Sequence, residues 1–202
     1  MNAAEESIAF YMEIGIAITQ WAQVEVTLIQ LLLNGFPEDQ RDAIYTGYAN
    51  IDGFGTKLGF ASGVIGKHFT GKHLEDWSAI EEKLRNLVRG RNKLAHWRVH
   101  GWAGAAPGKN RALIPWKVTS TQLPKMYLQD INGLRFEFSA VNVRMMNLLA
   151  RIQGRPDNID KASETPMKRL TLNQLRQGVT LHSPVRLAPK TKREKKKKKK
   201  KK

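Results

Sequence analysis

Apolar side chains recur every three to four residues along most of the chain as far as Gln153, the spacing that keeps one stripe of a helix against a core. From about Ala4 to Asn34 the stripe reads Ile14, Ile18, Trp21, Leu28, Leu32 and predicts one long helix. Asn34-Gly35 supplies a stop, and Pro37-Glu38-Asp39 a fresh start for a second helix to about Asn50. Between Ile51 and Phe69 five glycines weaken a pattern that keeps Phe54, Leu58, Ile65 and Phe69. An internal glycine costs a helix up to about 1 kcal/mol, so a weaker helix is expected there. The best-defined helix runs from near Leu74 to His96, with Trp77, Ile80, Leu84, Leu87, Val88, Leu94 and Ala95 on its apolar face. Glu75 and Asp76 fall in its predicted first turn, where negative charge suits the helix dipole.

After Trp97 the period changes. Trp97–Trp102 and Ala112–Ser120 alternate aromatic and aliphatic residues around a Gly/Ala/Pro turn at Gly104–Gly108, which predicts a β-hairpin. A last long helix follows from about Gln129 to Gln153, carrying Leu134, Phe138, Val141, Met145, Leu148, Leu149 and Ile152. Beyond Gly154-Arg155-Pro156 the chain turns polar and proline-punctuated. The expected architecture is mainly α: an antiparallel helical bundle over residues 1–154 with a small hairpin inserted before the last helix. Residues 155–202 are expected to form a polar, basic, disordered tail.

Charge needs dissection before it says anything about partners. The net +16 resembles a nucleic-acid signature, but ten lysines and two arginines against Glu194 give Arg186–Lys202 +11, leaving only +5 for residues 1–185. The run Lys195–Lys202 repels itself and cannot pack, so it offers weak, salt-dependent polyanion binding at most. With no cysteine in the chain, a disulfide framework, a thiol nucleophile and a cysteine zinc site are excluded; a reducing, cytoplasmic setting fits. The acidic start Met1-Asn2-Ala3-Ala4-Glu5-Glu6 is unlike a secretory signal. Glu13, Gln20, Gln23 and Glu25 interrupt the most apolar stretch, so a core helix is expected there and no membrane partner.

Two charges sit where apolar residues belong. On the helix ending at His96, the residues Arg85, Arg89, Asn92 and His96 share one polar stripe, but Arg91 falls on the apolar face. A guanidinium there must be paired or reach out to solvent. Glu25 likewise occupies a core position in the first helix, between Trp21 and Leu28. The two predict an ion pair between these helices, buried in the core.

The run Arg91-Asn92-Lys93-Leu94-Ala95-His96 resembles the motif of HEPN domains: an arginine, a polar residue, three further positions and a histidine near the end of a long helix. The preceding long helix with Trp21 and Glu25 is also similar to that of prokaryotic members, and the resemblance covers roughly residues 4–153. It implies a helical bundle, usually a homodimer with the two motifs facing one cleft, and in many members a metal-independent endoribonuclease. Carried over, His96 would act as general base or acid, Arg91 would contact phosphate, and Asn92 would orient the phosphate or His96. The residue types suit the chemistry: histidine transfers protons near neutral pH, and a guanidinium holds phosphate oxygens bidentately. A ribose 2′-hydroxyl as nucleophile removes any need for a metal or other cofactor and confines the reaction to RNA. A toxin or defence effector, with an antitoxin or regulatory protein as further partner, belongs to the same expectation.

Other readings stay open. A HEPN-fold module could bind RNA, a nucleotide or a protein without catalysis, and a helical structural protein could bind nucleic acid through its tail alone. Arg85 and Arg89 read as a solvated basic face that attracts RNA. His68, His73 and His100 read as structural rather than as metal ligands, since no carboxylate–histidine grouping accompanies them. Trp97, Trp102 and Trp116 could stack on bases, but hairpin packing is the expected role.

Overall fold

In a computed structural model, residues 3–102, 109–116 and 124–155 are described. All lie within one unit, Met1–Pro166. The chain is mainly helical, with one small antiparallel sheet. Helix α1 (Ala3–Leu33) is followed by a 3-10 turn (Glu38–Gln40), α2 (Arg41–Ala49), α3 (Phe54–His68) and α4 (Gly71–His96). Strands β1 (Arg98–Gly101) and β2 (Arg111–Ile114) then lead to α5 (Leu128–Ile152).

The bundle is built on α1, whose longest contact runs along α5, with α4 packed on both and α3 packed on α1 and α4. One continuous core holds Phe10, Trp21, Leu28 and Leu32 of α1 with Leu58 and Ile65 of α3, Trp77 and Leu84 of α4, and Phe138 and Met145 of α5. Burial of such a face, rather than helix propensity, stabilises helices of this kind. That explains α3, which forms despite its glycines. Gly55, Gly59, Gly63 and Gly66 all look into open space, while Phe54, Leu58, Ala61 and Ile65 are buried. Gly53, at φ 75°, lies in the left-handed region that turns the chain into that helix.

Two part-buried polar links tie α1 to α5. Arg135 Nε lies 2.9 Å from Glu13 Oε2, and the Thr27 hydroxyl donates to Asn142 Oδ1 at 2.7 Å. Leu134 of α5 lies against Gly90 of α4, where an added Cβ would come within 2.5 Å of Leu134 Cδ2. At the start of α5 the Tyr127 N–H donates to Asp130 Oδ2 at 2.7 Å, satisfying one of the orphan donors there.

Several expected boundaries move. Helix α4 begins three residues early, at Gly71, so Glu75 and Asp76 lie beyond its first turn. Asp76 instead pairs with Arg151 of α5 at 2.9 Å. The hairpin exists, with Arg98 opposite Ile114 and His100 opposite Ala112, but β2 runs from Arg111 to Ile114 and stops at Pro115 rather than extending over 112–120. A proline lacks the N–H that a ladder needs. Leu113 pairs on its other side with Met126. The turn expected at 104–108, residues 117–120 and the tail beyond Arg155 lie outside the described residues.

By length and composition Ala4–Leu33 could span a bilayer, and 39% of its most apolar stretch is buried inside the protein. The remaining side of α1 stays largely uncovered and bears Ile8, Tyr11, Met12, Ile18 and Val26.

Candidate functional site around Arg91

Helix α4 delivers Arg91 to the flank of α1. Arg91 Nη2 lies 3.7 Å from Glu25 Oε1, so the expected ion pair is present. It is not buried in the core: each side chain keeps about a third of its surface, 33% for Arg91 and 32% for Glu25. The reason is a cleft of about 220 Å³ between the two helices, lined by Ile18, Trp21, Ala22 and Glu25 on one side and Arg91, Leu94 and Ala95 on the other. Solvent reaches the pair through that cleft.

Glu25 is itself held from below. The Trp21 indole N–H donates to Glu25 Oε1 at 2.6 Å. Trp21 is buried, with ring contacts to Phe54 at 4.6 Å and Phe138 at 5.0 Å. The carboxylate is thus fixed by a core residue and in turn holds Arg91. At 3.7 Å Arg91 is attracted by charge rather than hydrogen-bonded, and its other contact, Nη1 to Asn92 Oδ1, is a weak 3.4 Å. Of its five N–H donors, most have no acceptor among the described residues. A guanidinium in this state is oriented and still able to take a bidentate anion.

His96 and Asn92 lie elsewhere on the same helix. Both are exposed, neither lines the cleft, and His96 has no hydrogen bond or ion pair among the described residues. Five positions along a helix turn His96 about 140° away from Arg91. The structure therefore unites Arg91 with Glu25 and leaves His96 outside that grouping. Arg89 is exposed and unpaired among the described residues, whereas Arg85 is engaged by Glu81 one turn before it, Nε to Oε1 at 3.0 Å. No group of three or more His, Cys, Asp or Glu that could hold a metal occurs among the described residues.

The sequence reading missed two parts of the site. The Trp21–Glu25 bond was accessible in principle, since residues four apart are neighbours on a helix. Tyr48, brought in by α2, carries no such signal. It is buried, its hydroxyl has no hydrogen-bond partner among the described residues, and Lys57 Nζ sits 5.3 Å from the centre of its ring. Burial, and secondarily the Glu25 carboxylate, hold its hydroxyl protonated well above the usual phenol range. A raised folded-state pKa contributes stability that is complete below about pH 10, where an unfolded tyrosine titrates, and is lost as pH rises further. Tyr48→Phe is expected to be neutral or stabilising by up to about 1 kcal/mol at pH 7, because an unbonded buried hydroxyl disappears. Above pH 10 it is expected to shed part of the wild-type decline. Urea unfolding at both pH values checks this; a clear loss at pH 7 would mean that the hydroxyl is bonded after all.

The tryptophans of the hairpin divide. Trp97 joins the edge of the core, Trp102 is half-buried, and Trp116 is 69% exposed, so the expectation of packing fails for Trp116.

No known family, no curated protein and no solved structure matches this chain.

Proposed function

We propose that this chain is a metal-independent endoribonuclease of HEPN type that acts as a homodimer. The observation that carries the reading is Arg91. It is oriented by the Trp21–Glu25 link at the edge of an open cleft and keeps free donors for a phosphate. Asn92 and His96, the latter unpartnered among the described residues, stand on the same helix end, as the motif requires. In this reading Arg91 binds the scissile phosphate and neutralises charge developing on its nonbridging oxygens. His96 takes a proton from the ribose 2′-hydroxyl or returns one to the leaving 5′-oxygen. Asn92 orients the phosphate, and Arg89 helps to attract RNA.

One chain offers a single motif histidine, turned away from Arg91, so acid and base together need a second copy. The uncovered face of α1 suits that copy. Ile8, Tyr11 and Ile18 recur along it and lead to Ala22, and Ile18 and Ala22 are walls of the Arg91 cleft. Two chains joined through this face bring their clefts together. Ile18→Asp, at a position 47% exposed in the single chain, is expected to leave the fold intact, halve the mass seen by sedimentation and abolish cleavage. An unchanged mass would move the interface elsewhere.

The deciding experiment is RNA cleavage by purified protein with and without EDTA. A substrate with a 2′-deoxy nucleotide at the cleaved position serves as control. Cleavage that survives EDTA and fails on the deoxy substrate is expected; dependence on added Mg²⁺ would sink the mechanism. Absence of cleavage across several RNAs would favour a binding module on the same scaffold.

A further inference from the structure

We propose that the hairpin following the motif helix is a stacking platform for single-stranded RNA, with Trp116 as the residue that stacks on a base. The inference rests on the RNA-directed reading above and adds where the strand lies.

Trp116 is the most exposed large apolar side chain of the described residues, at 69%. Such a ring contributes little to the core, and its surroundings are cationic. The Arg98 guanidinium lies over it, 5.5 Å from the ring centre. Lys125 Nζ lies 4.5 Å from the centre of the Trp102 ring, and His100 meets Trp102 edge-on at 4.6 Å. Arg98, His100 and Trp102 alternate along β1 and so share one face, while Val99 on the opposite face packs against the core.

Arg98 and Lys125, the cations over these rings, have no ion pair among the described residues. Along the sequence, residues 83–129 contain ten lysines and arginines and no aspartate or glutamate, of which Lys83, Arg85 and Arg91 on α4 are paired with Glu137, Glu81 and Glu25. Glu6 of α1, which reaches the hairpin, is buried and accepts a bond from Asn110 Nδ2 at 2.5 Å. A surface that combines exposed rings with uncompensated cations fits a polyanion with exposed planar faces. That describes a single strand, since a duplex stacks its bases on one another and hides them.

The platform also lies beside the motif. His96 ends α4 and Arg98 begins β1, and two residues of chain span at most about 7 Å. A base stacked on Trp116, with Arg98 on a neighbouring phosphate, places the adjoining backbone within reach of His96.

The test is binding, measured separately from cleavage. Full-length His96→Ala protein is titrated with a labelled mixed-sequence single-stranded RNA, at several salt concentrations, by fluorescence anisotropy. Added Trp116→Ala is expected to weaken binding about 10- to 100-fold, with little change in salt slope. Trp116→Phe should retain most of the affinity. Arg98→Ala should lower the salt slope by about one. The loss should persist at high salt, where purely ionic binding by the lysine run fades, and should be absent for a duplex of equal length. Undiminished single-strand affinity in Trp116→Ala would overturn the platform. So would an equal loss on duplex, or a change in the sedimentation mass of the RNA-free protein, which would assign Trp116 to self-association. Binding that depends on Trp116 with no cleavage by wild type would remove the nuclease reading and leave the platform standing. Cleavage by wild type with Trp116→Ala binding unchanged would do the reverse.

Discussion

His96→Ala is expected to slow RNA cleavage by about two to four powers of ten, the usual worth of a general acid or base, with little change in the unfolding midpoint. The side chain is exposed and unpartnered among the described residues. Its structural contribution is limited to a favourable position in the last turn of α4, worth about 0.3–1 kcal/mol when charged. Arg91→Ala is expected to abolish cleavage as well, but with a second effect. It strands Glu25, and breaking a buried pair costs about 3–5 kcal/mol; a pair one-third open to solvent should lose well under that. Arg91→Lys separates the two roles, since lysine keeps the charge but not the planar fork. It should recover the stability and not the activity. Gel assays beside urea unfolding of the three variants provide the comparison. Equal cleavage by wild type and His96→Ala would end the assignment of His96.

The largest stability effect is expected at Trp21. Trp21→Ala removes a buried ring that touches Phe54 and Phe138, and such truncations cost about 3–5 kcal/mol, a large part of the stability of a domain this size. It also frees Glu25 from the indole N–H that anchors it to the core, so loss of activity in that variant would be uninformative by itself. Trp21→Phe keeps much of the packing and deletes the indole N–H. It should lose less stability than Trp21→Ala and still lower cleavage, because Glu25 and with it Arg91 gain freedom to move. Full activity in Trp21→Phe would show that the 2.6 Å bond does not position the site.

The helical scaffold was legible because its signals are local. Periodicity located α1, α4 and α5 to within a few residues, and the capacity of Glu25 and Arg91 to interrupt apolar stripes was enough to pair them across two helices. Their exposure was not legible, because it depends on the cleft between α1 and α4, a property of how surfaces fail to meet. Helix α3 was legible in place, and the burial of Leu58 and Ile65 is what supports it against the propensity of its glycines. The end of β2 at Pro115 could have been read from the proline, but its bridge to Met126 joins residues whose proximity no short window records. Tyr48 belongs to the same class, contributed to the surroundings of Glu25 by a helix of otherwise weak pattern. The separation of Arg91 and His96 followed from the wheel.

Gly90 has a consequence for the register of the bundle. A bare Cα facing Leu134 is a notch, and in the observed register that leucine fills it. Sliding α4 by one helical turn, about 5.4 Å, would bring a residue with a side chain against Leu134. The axial setting of α4 is keyed at the residue immediately before Arg91, and α5 is tied to α1 by Arg135–Glu13 and Thr27–Asn142. The 3.7 Å between Arg91 and Glu25 is therefore inherited through three helices, each indexed on the next, and their attraction fine-tunes a distance that the bundle has already set.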